Sequence, residues 1–235
     1  MRELARRALG ADWGDRDEVV DRLTRVTGDC PLVTVIGGRL VAESAIAPEL
    51  LAQDETFRRA VFTRFGDELL GRLSSTFAPD LARRVLELLA ALNPVPAAGT
   101  DVVVRQIGRV VGAAAADVAR LVGELEHVGV LVRRGNHLRL TPDVFADHVL
   151  AVACLTLRNE PTGFADQVFA DFGGSYPAAV LRNLAELDWR VRSSAGAEAG
   201  LLRGMWDGIA QGFETGTASA RVRTLDLVSD ATLLC

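Results

Sequence analysis

From Thr100 to Ala151 the chain runs TDVVVRQIGRVVGAAAADVARLVGELEHVGVLVRRGNHLRLTPDVFADHVLA, and its apolar period changes twice along the way. Val118, Leu121, Val122, Leu125 and Val128 fall at i, i+3, i+4, i+7 and i+10, which predicts one buried stripe on a helix over Ala116 to Val128. Gly129 is a natural stop for that helix. Beyond it, VLVRR and HLRL are short β-branched or leucine-rich runs, and the Gly135-Asn136 pair between them predicts a hairpin turn that needs positive φ. Thr141-Pro142-Asp143 then restarts a helix, with Thr141 expected as N-cap and Pro142 at the first helical position. Helix, turn, helix, hairpin, helix is the element order of a winged helix.

Working outward toward the N-terminus, Pro79-Asp80 opens a helix with Leu81, Val85, Leu88, Leu89 and Leu92 inward, and Asn93-Pro94 ends it. Residues 94–99, PVPAAG, read as its connector to the central stretch. Further upstream, helices are expected over 2–9, 18–26 and 55–73, with a loop from Ile46 to Asp54. The run after Pro31 fits either a strand feeding Gly37-Gly38 or a helix carrying Leu32, Val35, Ile36 and Leu40. Helix is the reading adopted, with the two glycines admitting a close neighbour.

Toward the C-terminus, Gly-, Ser- and Pro-punctuated segments predict helices over 163–172, 177–192, 198–213 and from Ser219 onward. Phe164, Phe169, Phe172, Tyr176, Trp189, Trp206 and Phe213 recur along them, as expected of a core shared by stacked helices. The fold expected is therefore mainly α. A helical lid-like segment spans 1–76, a winged-helix domain with one small β-hairpin spans 77–158, and an incomplete helical repeat-like array spans 159–235.

Composition narrows the chemistry. All 26 basic residues are arginine, so a P-loop lysine, a Schiff-base lysine and a lysine general base are excluded from this polypeptide. Net charge is −5, which gives no global attraction to nucleic acid or an anionic membrane. Cys30, Cys154 and Cys235 are far apart with no CxxC pair, and no apolar run reaches the length of a membrane span. A cytoplasmic protein without membrane partners is expected.

DNA is not expected as a partner either. The presumptive recognition helix carries Asp117, Glu124 and Glu126 against Arg120, and residues 100–150 hold six arginines and six acids, a net of zero. Only Arg133, Arg134 and Arg139 make a locally basic wing, and these three are the DNA contacts if a DNA-binding regulator is the correct alternative. Cys30 beside Pro31 reads as a small buried hydrophobe rather than a nucleophile. His148 and Cys154, six apart, do not share a helical face, so no metal site is expected. No general acid or base is nominated, and no catalytic residue is expected.

The order of these elements resembles the back half of STAND-class signal-transducing P-loop NTPases, the NLR-like and apoptotic-ATPase-like proteins. Gly28-Asp29-Cys30-Pro31-Leu32 looks like that family's lid motif near the adenine, which would assign Gly28 and Pro31 to nucleotide binding. Asp143 alone matches the family's Met-His-Asp motif, and His148 is the candidate substitute for its histidine. The resemblance implies a regulatory portion with no cofactor of its own. ATP or ADP would sit in a P-loop core lying upstream, and a protein or ligand trigger would bind the helical array. It also implies a chain that continues beyond both of its ends.

Overall fold

The computed structural model describes residues 1–27, 31–44, 54–96, 100–195 and 200–233. It is mainly helical with one small three-stranded antiparallel sheet, and it divides into two compact units, Met1–Pro79 and Asp80–Cys235.

The first unit contains α1 (Arg2–Gly14), α2 (Asp17–Val26), α3 (Pro31–Ala42) and α4 (Asp54–Leu73). The first helical stretch of α1 stops at Gly10, as expected of a helix over 2–9: Gly10 is non-helical at φ +69 and kinks the chain before a second short helical stretch runs on to Gly14. In α2, Val20, Leu23 and Val26 point inward, while Asp17 and Glu18 in its first turn and Arg25 in its last match the helix dipole. The helical reading after Pro31 holds, but the buried face differs from the apolar stripe. Val33, Thr34, Leu40 and Val41 are buried, and Val35 and Ile36 are only half-buried.

The two glycines explain that rotation. A Cβ on Gly38 would lie 2.5 Å from the Ala8 Cβ and 3.1 Å from the Ala8 carbonyl carbon, so α1 crosses α3 almost backbone to backbone. A Cβ on Gly37 would sit 3.1 Å from the Phe57 ring. The hydroxyls of buried Thr27 and Thr34 meet at 2.7 Å, and Arg58 Nε donates to the Val26 carbonyl at 2.6 Å, closing the C-terminal end of α2. Of the loop expected from Ile46 to Asp54, residues 46–53 lie outside the described residues, as do Gly28 and Cys30, and Asp54 already opens α4.

The second unit runs α5 (Pro79–Ala91), β1 (Val95–Pro96), α6 (Thr100–Val111), α7 (Ala115–His127), β2 (Leu131–Arg134), β3 (His137–Leu140) and α8 (Asp143–Cys154). It continues through α9 (Phe164–Phe172), α10 (Pro177–Ala195), α11 (Arg203–Thr215) and α12 (Ala218–Leu233), so residues on both sides of position 158 belong to it. The sheet order is β1-β3-β2, with Leu131 opposite Leu140 and Arg134 opposite His137. Gly135 turns the hairpin at φ +57. Strand β1 is an addition to the expected hairpin: Val95 pairs with Leu138 and Pro96 with His137. A two-residue strand ending in proline has too little length to show a period, and proline is tolerated there because β1 is an edge.

Helix α7 buries Val118, Leu121, Val122 and Leu125, but Val128 is 38 % exposed, which corrects the fifth position of the expected stripe. The helix has already ended at His127. Gly129, at φ +78, donates to the Glu126 carbonyl and Val130 to the Leu125 carbonyl, the paired bonds of a Schellman stop. Val130 takes the buried place instead.

Thr141 is not the N-cap of α8. Its N–H donates to the Val130 carbonyl at 2.8 Å and its hydroxyl to Gly129, so it extends the hairpin, and Pro142 is the cap residue rather than the first helical one. Helix α11 begins at Arg203, later than expected, because Gly200 takes φ +66 and residues 201–202 form a turn. The shared-core expectation holds for Phe164 and Phe172, which are buried. It fails for Trp189, Trp206 and Phe213, which are 67, 37 and 37 % exposed.

Gly38→Ala gains roughly 1 kcal/mol of helix propensity yet forces α1 and α3 apart, and overpacking of this kind costs about 1–3 kcal/mol. The expected outcome is a lower thermal midpoint, partly restored by adding Ala8→Gly. An unchanged or raised midpoint in the single variant would show that the helices do not meet this closely.

Candidate functional site

Asn93 is the residue around which the second unit's polar groups converge. Its side-chain oxygen accepts the Leu140 N–H of β3 at 3.0 Å. Its carbonyl accepts Arg182 Nη2 at 3.0 Å and Asn183 Nδ2 at 2.8 Å, both from α10. Asn183 Nδ2 also reaches the Ala91 carbonyl at 2.8 Å. The carbonyl of Ala91, the last residue of α5, and that of Asn93 just beyond the helix are thereby closed by side chains from about ninety residues downstream.

The same packing recurs beside it. Buried Gln106 donates to the Asp171 carbonyl at 2.6 Å, Arg190 of α10 pairs with Asp147 of α8 at 2.8 Å, and Arg84 lies over the Phe164 ring at 5.5 Å. Periodicity does not reveal these residues, because each is a polar side chain whose partner is distant in sequence. Asp188 is different. It lies on the apolar stripe of α10 with Val180, Leu184 and Val191, is 0 % exposed, and could have been flagged as a charge on a buried face.

The residues singled out from the sequence fall in both units. Pro31 is exposed at the start of α3 in the first unit, and Gly28 is outside the described residues. Asp143 forms an ion pair with Arg139 at 2.8 Å. His148, half-buried, follows it by five positions on α8, about 140° around the helix at roughly 100° per residue. This geometry gives no support to a phosphate contact made jointly by Asp143 and His148: the first is an anion already matched by a cation, and the second faces elsewhere.

Two of the three hairpin arginines are also matched internally. Arg133 pairs with Glu126 at 3.3 Å, Arg139 with Asp143, and Arg120 on α7 with Asp117 at 2.8 Å. Arg134 is exposed and has no ion pair among the described residues. The solvent face of α7 is left with Ala116, Ala119, Gly123, Glu124 and His127.

Cys154 is fully buried at the end of α8, and burial together with the nearby Glu87 carboxylate pushes its thiol up to about 12. Burial likewise raises the Glu87 carboxyl, against the pull of Arg84. Among the described residues, no three His, Cys, Asp or Glu side chains gather as a metal site would require, and no helix is long and apolar enough to cross a membrane. No protein-family model, no curated protein and no solved structure matches this chain.

Two outcomes are expected. Asn183→Ala leaves the Ala91 carbonyl without its donor and lowers stability by about 1–3 kcal/mol, read as a lower urea midpoint. A loss below about 0.5 kcal/mol would show that water replaces the bond. Cys154, protonated and buried, resists alkylation by iodoacetamide at pH 8 in the native protein and reacts once urea unfolds it, by peptide mass mapping. Rapid native labelling would contradict its burial.

Proposed function

We propose that this chain is a non-catalytic regulatory module of the STAND type, with the second unit built as a winged helix followed by helical hairpins and the first unit as a helical lid. The observation that carries the reading is the order α5-β1-α6-α7-β2-β3-α8 on a sheet ordered β1-β3-β2, joined to α10 through Asn93. A winged helix that reads DNA needs a basic face and several phosphate contacts. Here Arg120, Arg133 and Arg139 are paired with acids of the same unit, which favours a packing role for the motif.

In this reading a P-loop core supplies Walker A and Walker B chemistry, binds ATP or ADP, and exerts its nucleotide state on the lid and winged helix as a rigid-body change. The helical hairpins receive the trigger. The chain contributes switching, and no bond is made or broken on it.

The isolated chain is expected to bind ATP and ADP more weakly than a Kd of about 100 μM by calorimetry. It is also expected to leave duplex DNA unshifted at about 50 mM salt. Micromolar nucleotide affinity overturns the division of labour. Salt-sensitive DNA binding that disappears when Arg133, Arg134 and Arg139 are neutralised selects a winged-helix DNA-binding regulator instead. A strand followed by GxxxxGK[ST], encoded in frame upstream of Met1 or in an adjoining gene, supplies the motor; its absence from both sinks the reading.

A further inference from the structure

The cleft between α10 and α11 holds the second unit's most demanding polar arrangement. Asp188 is 0 % exposed, and an ionised carboxylate tolerates such burial only when paired and hydrogen-bonded. Its Oδ1 accepts the Leu201 N–H at 3.0 Å, and its Oδ2 accepts Arg192 Nε at 2.7 Å together with Arg192 Nη2. The bond to Leu201 fastens the turn before α11, but a neutral asparagine could accept that N–H as well.

The negative charge has a different effect, which is to hold a guanidinium. Arg192 is gripped along its Nε and Nη2 edge, while its side chain stays 52 % exposed and lines a cavity of about 230 Å³. An arginine fixed before a ligand arrives loses little rotamer freedom on binding.

The facing wall is built for the same purpose. Arg203, Trp206 and Asp207 fall at i, i+3 and i+4 on α11, so one face of that helix presents a second guanidinium, an indole and a carboxylate to the cavity. Leu202 adds apolar wall, and Trp206 is 37 % exposed. Among the described residues that line the cavity, the formal charges of Asp188, Arg192, Arg203 and Asp207 sum to zero, which disfavours a dianion, and the volume corresponds to about seven waters. A planar carboxylate matches a guanidinium edge, and a flat apolar body matches the indole.

We propose that this cleft is a binding site for a small monocarboxylate with an aromatic or apolar body, its carboxylate on Arg192 and Arg203 and its body against Trp206. Asp188 is a positioning residue that acts through Arg192. The inference does not depend on coupling to an NTPase.

The test uses benzoate on the full chain carrying Trp13→Phe and Trp189→Phe, so that Trp206 is the sole indole. Benzoate is expected to quench Trp206 fluorescence saturably with a Kd on the order of 1 mM, and inorganic phosphate to bind at least ~10-fold more weakly. Arg203→Gln, an exposed change that leaves Asp188 paired, is expected to weaken benzoate by at least ~10-fold. Because Arg192→Gln alone strands a buried carboxylate, Arg192 is tested in the double variant Asp188→Asn/Arg192→Gln, which is expected to abolish saturable quenching while the protein still melts cooperatively. Linear, non-saturating quenching overturns the proposal, as does undiminished affinity in either folded variant. Phosphate binding as tight as benzoate overturns the ligand class.

Discussion

Carbonyl groups at the end of α5 govern how the second unit is assembled. A helix leaves its last carbonyls without intrahelical donors, and burying them unpaired costs about 1–3 kcal/mol each. Here the chain does not turn those groups to solvent. Asn183 and Arg182 reach them from α10, while the Asn93 side chain accepts from Leu140 in β3. One residue therefore sets three distances at once: helix to sheet, helix to α10, and, through both, sheet to α10. Apolar burial around it by Leu88, Leu89, Leu92, Leu138 and Leu181 supplies most of the free energy, at roughly 1.5–3 kcal/mol for each large side chain. That burial is indifferent to register, which the directional bonds of Asn93 fix.

The sequence made the central motif legible because its signals are local. Gly129 and Gly135 occur where positive φ is needed, and the period changes from helix to strand between them. Where local rules misled, a longer-range partner had taken the residue. Thr141 has the chemistry of an N-cap, but its hydroxyl and N–H are drawn to Gly129 and Val130 across the hairpin. Val128 continues an arithmetic stripe past the point where the Schellman stop has ended the helix. On α3, apolarity indicated Val35 and Ile36, but two glycines let α1 approach the opposite side. Asp143 and His148 lie about 140° apart around α8, and no spacing rule for a linear motif anticipates the Arg139 pairing.

The arginine-only basic set fits how cations are used in this unit. Arg182 donates to a carbonyl, Arg84 covers an aromatic ring while bonding Gln167, and Arg190 bridges to Asp147 and Glu186. A guanidinium offers several donors in a fixed plane and can serve two partners at once, whereas an ammonium is a point charge. Arg120, Arg133 and Arg139 are similarly engaged, each with an acid of the same motif.

Helix α10 links the two polar centres of the second unit. Arg182 and Asn183 bond the end of α5, Arg190 pairs with α8, and Asp188 and Arg192 hold the turn into α11. From Asn183 to Asp188 is five residues, about 7.5 Å along the axis at 1.5 Å per residue, with continuous helical bonding between. A helix this short does not bend appreciably, so a shift of its cleft end moves its Asn183 end as well. That end is attached to carbonyls that tolerate only a few tenths of an ångström before the bonds fail. The α10–α11 cleft and the seating of α5 on the sheet thus share one element, because α10 carries hydrogen bonds of both.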